Sequence, residues 1–189
     1  MRIFVALDIE DSIRKRIERF IDGVRGFASD ARWVRAESLH VTLKFIGEKT
    51  PEVVEEIKHA LSNIRSDTLE IAFRGYGFFP GAKAPRVFWV GVEAGPQLAA
   101  LATAVDNNTA TLGIPKEEHP FSPHLTLARG GGSRPPRGHN QSFQQLQEKL
   151  AILPTPDFGT MTAREFFLYQ SQLLRGGARY SKISSFPLG

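Results

Sequence analysis

The chain has 189 residues, of which 41% are apolar and 23% charged, a composition typical of a globular protein with one domain or two small lobes. It contains no cysteine, which excludes disulfides, thiolate metal sites and a cysteine nucleophile. The net charge of +4 is compatible with an anionic substrate, but it is too small to suggest a protein that wraps a nucleic-acid duplex.

Targeting and membrane signals are missing from the sequence. No apolar segment approaches the roughly 18 residues that a membrane-spanning helix requires. The first segment, MRIFVALDIE, lacks the charged and then apolar pattern of a signal peptide. We therefore expect a cytoplasmic protein without membrane partners.

Hydrophobic periodicity predicts alternating strands and helices in the first half of the chain. Asp11 is positioned to cap the first helix, and Thr50 and Pro51 form a typical start for the second. The predicted elements are a strand over 2–9, a helix over about 12–26, a strand over 39–47, a helix that begins at Pro51, and strands over about 69–78 and 86–93.

The second half shows a similar alternation. The predicted elements are a helix from about 96 to 112 that ends at Gly113, a strand that contains residues 123–129, a helix near 141–152, and two strands near 159–171 and 178–186. A loop rich in glycine, arginine and proline precedes the last helix.

The segment PHLTLAR, residues 123–129, places a histidine and a threonine on one face of a predicted strand. Successive side chains of a strand point to opposite faces, so His124 and Thr126 share one face while Leu125 and Leu127 share the other. The leucines are expected in the core. A single pair of this kind is usually a surface pair without a function.

The same pattern occurs a second time. In LHVTLKF, residues 39–45, His40 and Thr42 share one face of a predicted strand. With five histidines in the chain, two such patterns are expected by chance on the order of once in a thousand chains of this composition. The repetition therefore favours a functional role for both pairs.

The two motifs belong to two similar halves of the chain. An offset of 84 residues relates His40 to His124 and the segment RIF at 2–4 to RVF at 86–88. The same offset relates Leu43 to Leu127, Gly47 to Gly131 and Pro51 to Pro135. This pattern indicates an internal duplication. We predict a single domain over 1–189 made of two pseudo-symmetric lobes, whose histidine-threonine pairs line one cleft.

Two histidines that face each other are suited to concerted acid–base catalysis. Because the pKa of imidazole is near 6.5, one ring can be neutral and the other protonated around pH 7. One ring then accepts a proton from the attacking group while the other protonates the leaving group. The threonine hydroxyls can donate to the non-bridging oxygens of a phosphate, and the arrangement requires no metal.

These motifs resemble the 2H phosphoesterase superfamily. The segments RIFVALDI, LHVTLKFIGE, RVFWVGV, FSPHLTLAR and SQLLRGGARY are similar to those of its RNA 2′,3′-cyclic phosphodiesterase branch, which is LigT-like and was formerly called 2′-5′ RNA ligase. The resemblance covers essentially the whole chain. It implies an α+β, bilobal, pseudo-twofold fold in which two antiparallel sheets flank a central cleft and helices lie on the outside.

The resemblance also implies an activity. We expect metal-independent hydrolysis of 2′,3′-cyclic phosphate at RNA ends to a 2′-phosphate, by a monomer without a cofactor, with RNA ends, tRNA halves or cyclic nucleotides as partners. It assigns His40 as the proton donor, His124 as the proton acceptor, and Thr42 and Thr126 as phosphate ligands. The alternatives are a 2′-5′ RNA ligase that joins tRNA halves and a non-catalytic module that binds RNA ends. Two intact histidines favour catalysis over binding alone.

The predicted positions of two charged side chains near the motifs depend on whether the strands alternate regularly. The resemblance places Arg129 near the substrate phosphate, but strict alternation from His124 directs it to the core-facing side unless the strand ends or bulges at Ala128. We expect a phosphate-binding role, since burying an unpaired charge is costly. By alternation Lys44 falls on the His40 face, where a solvated lysine is expected.

The remaining candidates carry weaker signals. A zinc site would need three or four converging ligands at recognised spacing, and the serine-hydrolase pattern GxSxG is also missing. The basic residues between Arg14 and Arg19 are expected on the solvated face of a helix. The expected surface histidines are His59, His119 and His139. The aromatic residues expected in the core are Trp33, Phe45 and Phe88, with the alternative that one or two of them stack on a nucleobase.

Overall fold

The computed structural model describes residues 1–130 and 143–189, which form two antiparallel sheets covered by helices. The elements are β1 (Arg2–Leu7), α1 (Asp11–Val24), β2 (Arg32–Trp33), β3 (Val41–Glu48), α2 (Pro51–Ser62), β4 (Leu69–Phe79), β5 (Val87–Ala94), α3 (Pro96–Ala110), β6 (His124–Arg129), α4 (Gln144–Ala151), β7 (Asp157–Ala163), β8 (Glu165–Leu174) and β9 (Gly177–Pro187). The predicted α+β class is confirmed.

Some sequence predictions lie outside the described residues. These are His139, the equivalences of Gly131 and Pro135, the Gly-Arg-Pro loop, and the first residues of the helix predicted near 141–152. Within the described parts of the chain, no helix is long and apolar enough to cross a membrane.

Each sheet combines strands from both halves of the chain. One sheet has the order β3-β1-β8-β9 and the other β2-β6-β5-β4-β7. Strand β4, from the first half, pairs with β5, while β8, from the second half, pairs with β1. The halves therefore exchange strands, since β2 and β4 lie in the sheet of β5 and β6, and β8 and β9 lie in the sheet of β1 and β3.

The helices are exchanged in the same way. Phe20 of α1 packs against Phe88 of β5 and meets Phe158 of β7 edge-on, with ring centroids 5.2 Å apart. Helix α3, from the second half, contacts β3 of the other sheet. The apolar faces of these helices join both sheets in one continuous core. Burying each such side chain contributes roughly 1.5–3 kcal/mol, so the core fixes the relative position of the sheets.

The predicted helix starts are partly correct. Thr50 caps α2, because its hydroxyl accepts a hydrogen bond from the backbone N–H of Val53 at 3.3 Å, and Pro51 is the first helical residue. The prediction that Asp11 caps α1 is wrong, because Asp11 is already the first helical residue and Glu10 precedes it. A carboxylate in the first turn still complements the helix dipole.

The single strand predicted over 159–171 is two strands. Strand β7 ends at Ala163 and pairs with β4, whereas β8 begins at Glu165 and pairs with β1 in the other sheet. The chain thus changes sheets around Arg164. No glycine or proline marks this change, so the sequence pattern continues through it without a break.

The offset between the halves is not uniform. Thr42 and Thr126, which are 84 residues apart, occupy corresponding places in β3 and β6. Strand β1, however, places Phe4 opposite Phe45, whereas β5 places Val87 opposite Arg129, an offset of 83 residues between β1 and β5. The alignment of RIF with RVF is therefore displaced by one residue from the equivalence that the strand pairing shows. The duplication itself stays a prediction.

Candidate active site

A cavity of about 400 Å³ lies between β3 of one sheet and β6 of the other. Its lining includes His40 and Thr42 from one half and His124 and Thr126 from the other. The structure thus brings all four motif residues together. The volume falls in the range of small-molecule sites, and a nucleotide is of suitable size.

Both histidine rings are held in the same way. The Nδ1 atom of His40 lies 2.8 Å from the backbone carbonyl of Ser38, and that of His124 lies 2.9 Å from the carbonyl of Ser122. Because a carbonyl can only accept a hydrogen bond, Nδ1 must carry the hydrogen in each ring. The Nε2 atoms remain for the cavity, where a neutral ring accepts a proton and a charged ring donates one.

A β-bulge decides the position of Arg129. In the pairing of β5 with β6, Trp89 lies opposite Thr126 and Phe88 opposite Ala128, so Leu127 has no partner. The extra residue reverses the alternation, and Arg129 is exposed and lines the cavity. Of the two alternatives for Arg129, the bulged strand is the one observed.

The first half has a matching bulge at Leu43, which overturns two predictions. Lys44 is not solvated on the His40 face but is only 2% exposed on the opposite face. Its ammonium group donates to the carboxylate of Asp106 and, at 2.8 Å, to the carbonyl of Pro115. Phe45 is not in the core but is 50% exposed and lines the cavity. An extra residue in one strand thus accounts for both errors.

Helix α3 supplies the partner that allows Lys44 to be buried. Burial alone would raise the pKa of Asp106, but the hydrogen bond from Lys44 and that from the backbone of Glu117 hold it below its usual value. The ion pair connects β3 to α3, and the hydrogen bond to Pro115 connects β3 to the segment that leads from α3 to His124. Lys44 therefore joins the two motif-bearing parts of the chain.

The surroundings of His40 shift its pKa. Burial lowers the pKa of His40, and the positive charges of Arg129 and His124 act in the same direction. The hydrogen bond to Ser38 and the charge of Asp8 oppose this shift without cancelling it. His40 therefore holds its proton only at a lower pH than an ordinary histidine.

Aromatic rings pack against each imidazole. Phe4 lies 4.8 Å from the His40 ring between centroids, and Tyr180 meets that ring at 90° and 5.2 Å. On the other side Phe79 meets the His124 ring at 70° and 5.2 Å. These contacts limit the rotation of both rings, which keeps their Nε2 atoms directed to the cavity.

One contributor to the site was missed in the sequence. Arg14 was expected on the solvated face of its helix, but its side chain is only 16% exposed. It donates to the carboxylate of Asp8 at 2.6 Å and to the carbonyl of Ala36, which begins the 3₁₀ turn Ala36–Ser38. That turn carries the carbonyl that orients His40. No sequence signal distinguishes Arg14 from its basic neighbours.

The other histidines lie apart from this cavity. His59 on α2 and His119 are exposed, as expected from the sequence, and neither lines the cavity. Within residues 1–130 and 143–189, no group of three histidine, aspartate or glutamate side chains is arranged to hold a metal ion.

The two sheets and the paired His-x-Thr motifs on facing strands define the chain as a phosphoesterase of the two-histidine class. A sequence model described as "LigT like Phosphoesterase" matches it over residues 7–89 and again over 90–180. The chain belongs to the LigT-like phosphoesterase family, and the resemblance seen in the sequence is confirmed.

Curated relatives and solved structures agree with this family. The chain is 33% identical over 186 residues to the RNA 2′,3′-cyclic phosphodiesterase of Archaeoglobus fulgidus, covering 98% of this chain and 99% of that protein. It is 35% identical to the Thermotoga maritima protein of the same name, with coverages of 97% and 93%. A crystal structure of Escherichia coli LigT in complex with 3′-AMP is similar at a TM-score of 0.79 and 26% identity, covering 99% of this chain and 97% of that chain.

Proposed function

We propose that this protein is an RNA 2′,3′-cyclic phosphodiesterase, which hydrolyses the cyclic phosphate at an RNA 3′ end to a 2′-phosphate without a metal ion. The observation that supports this most strongly is the pair of histidines in one cavity, each with Nδ1 hydrogen-bonded to a serine carbonyl. Relatives that match nearly the whole chain are named for the same activity.

The proposed reaction is an in-line displacement at phosphorus. His124 accepts a proton through Nε2 from a water molecule, whose oxygen forms a bond to the phosphorus atom. The bond between phosphorus and the 3′-oxygen breaks on the far side, and the protonated Nε2 of His40 gives its proton to that oxygen. The product is a 2′-phosphate beside a free 3′-hydroxyl.

Three other side chains stabilise the charge on the phosphate. The hydroxyls of Thr42 and Thr126 lie on the same faces as the histidines and donate to the non-bridging oxygens. Arg129, turned into the cavity by the bulge, adds a guanidinium group that can donate two parallel hydrogen bonds. Donors placed where negative charge develops are usually the largest single contribution to such reactions. We also propose that the enzyme is a cytoplasmic monomer.

The acid role of His40 has a consequence for pH dependence. The free enzyme loses the acid as pH rises through the lowered pKa of His40, so kcat/KM should fall on the basic side. A bound phosphate anion favours the charged ring and restores the proton. We therefore expect bell-shaped profiles in EDTA, with the basic limb of kcat at a higher pH than that of kcat/KM. Coincident basic limbs, or activity that requires an added divalent metal, would contradict the proposal.

A substrate with a good leaving group separates the acid from the base. The p-nitrophenyl ester of a nucleotide phosphate needs no proton on its leaving group, so it should restore most of the rate to His40→Ala and little to His124→Ala. The measurement is kcat/KM of each variant with the p-nitrophenyl ester and with a nucleoside 2′,3′-cyclic phosphate. Rescue of His124→Ala alone would reverse the two roles.

A further inference from the structure

The surroundings of the cavity differ in charge between the start and the end of β1. Where β1 begins, its lining includes Arg2, with Arg35 next to the lining residue Val34. Beyond His40, where β1 ends, it adjoins a second cavity of about 480 Å³. The lining of this second cavity includes the carboxylates of Asp8, Asp11 and Glu37.

The cations at the second end are already paired with carboxylates. Arg14 and Lys182 also line the second cavity, and each lies 2.6 Å from a different oxygen of the Asp8 carboxylate. The carboxylates of Asp11 and Glu37 remain exposed there. A chain of phosphates leaving in this direction would meet net negative charge, which is unfavourable.

The first end of the cavity, where β1 begins, carries exposed arginines. Arg2, Arg35 and Arg175 are exposed, and we name them the arginine edge. Arg35 donates to the carbonyl of Gly176 at 3.2 Å, which places it against the turn between β8 and β9 that contains Arg175. Among the described residues, none of the three arginines lies within ion-pair distance of a carboxylate.

Apolar surface accompanies the arginine edge. The half-exposed ring of Phe45 lies 5.2 Å from the guanidinium carbon of Arg2, and Leu173, which is 77% exposed, lines the same end of the cavity. An exposed aromatic ring beside an arginine is a common platform for an unpaired nucleobase. Single-stranded RNA offers both groups that this end can bind, bases and phosphates.

We propose that the RNA strand on the 5′ side of the cyclic phosphate leaves the cavity across the arginine edge. A base of the strand stacks on Phe45, and the upstream phosphates contact Arg35 and Arg175. This inference rests on the proposed function and adds a direction for the RNA strand. The contacts with the arginine edge and Phe45 make the enzyme more efficient on an oligonucleotide end than on a mononucleotide.

The test compares two substrates in the Arg35→Gln/Arg175→Gln double variant. One is a nucleoside 2′,3′-cyclic phosphate, and the other is a single-stranded pentaribonucleotide that ends in the same group. We expect kcat/KM for the pentanucleotide to fall on the order of 10-fold at low salt, with no change for the mononucleotide. Loss of two phosphate contacts should also reduce the slope of log(kcat/KM) against log salt for the pentanucleotide by about 1.4.

A charge-matched control is the Arg19→Gln/Arg65→Gln double variant, since neither arginine lines the cavity. It should behave as the wild type with both substrates. The inference is overturned if Arg35→Gln/Arg175→Gln leaves the pentanucleotide rate unchanged, lowers both rates equally, or matches the control.

Binding separates this inference from the proposed function. The dissociation constant of a pentaribonucleotide with a 3′-phosphate, measured by fluorescence anisotropy, needs no turnover. Weaker binding in Arg35→Gln/Arg175→Gln than in the control supports the arginine edge even if the wild-type protein hydrolyses neither substrate, a result that would refute only the proposed function. Equal binding by the two variants would refute the arginine edge.

Discussion

Replacing either His40 or His124 with alanine is expected to lower kcat for a nucleoside 2′,3′-cyclic phosphate by roughly 10²–10⁴-fold, the usual contribution of a positioned general acid or base. Each ring has its Nδ1 held by a serine carbonyl, so each variant loses one proton-transfer group and leaves the rest of the cavity in place. Steady-state rates of the two variants measure the effect.

The two rings should behave as a unit. Because they act in one step, the double variant is expected to be little slower than the slower single variant. Valine at Thr42 or Thr126 should lower kcat less, by about 10–10³-fold, because one hydrogen bond to the phosphate is lost. His119→Ala is the control, since His119 is exposed outside the cavity. A nearly normal rate in either single histidine variant would mean that one ring acts alone.

Lys44→Met is expected to lower the free energy of unfolding by about 3 kcal/mol, measured by urea denaturation. The change leaves the carboxylate of Asp106 without its buried cation, and losing one member of a buried pair costs about 3–5 kcal/mol. The lower value applies because the Asp106 side chain is still 19% exposed. The variant should also lower kcat, since Lys44 holds the segment that leads to His124.

A second variant isolates the ion pair. In Lys44→Met/Asp106→Leu no charge is left unpaired, so most of the stability should return. The pKa of Asp106 is lowered in the folded protein, so its stabilising effect is present above its ordinary value of 3.8 and is lost as pH falls through the folded value. The difference between wild type and Lys44→Met should therefore shrink in acid. Equal stability of the two proteins at pH 7 would contradict the role of Lys44.

The paired motifs were the part of the site that the sequence predicted best. A histidine and a threonine two residues apart share a face of any strand, so His40 with Thr42 and His124 with Thr126 could be placed before the fold was known. The prediction that the two pairs line one cleft followed from the likeness of the two halves of the chain. The cavity joins all four side chains, and their catalytic roles stay a proposal.

Irregular strands account for the errors close to the site. The rule of alternation holds through Leu43 and Leu127, which lack partners across the ladder, and fails at the residue that follows each of them. Lys44, Phe45 and Arg129 all lie beyond a bulge. A bulge depends on pairing with a neighbouring strand, which alternation within one strand does not reveal.

Long-range pairing also explains the errors in the fold. The change of sheet at Arg164 is set by the partners β4 and β1, both more than 80 residues away in the chain. The 83-residue offset of β1 and β5 likewise appears only in the pairing of strands. Local signals were sufficient where the cause is local, as at Thr50 and Pro51.

The most direct test of the central claim is to incubate the protein with adenosine 2′,3′-cyclic phosphate in EDTA and to identify the product by phosphorus NMR. The proposed function predicts turnover to adenosine 2′-phosphate, because the bond between phosphorus and the 3′-oxygen breaks. Formation of the 3′-phosphate, or turnover only after a divalent metal is added, would contradict the account.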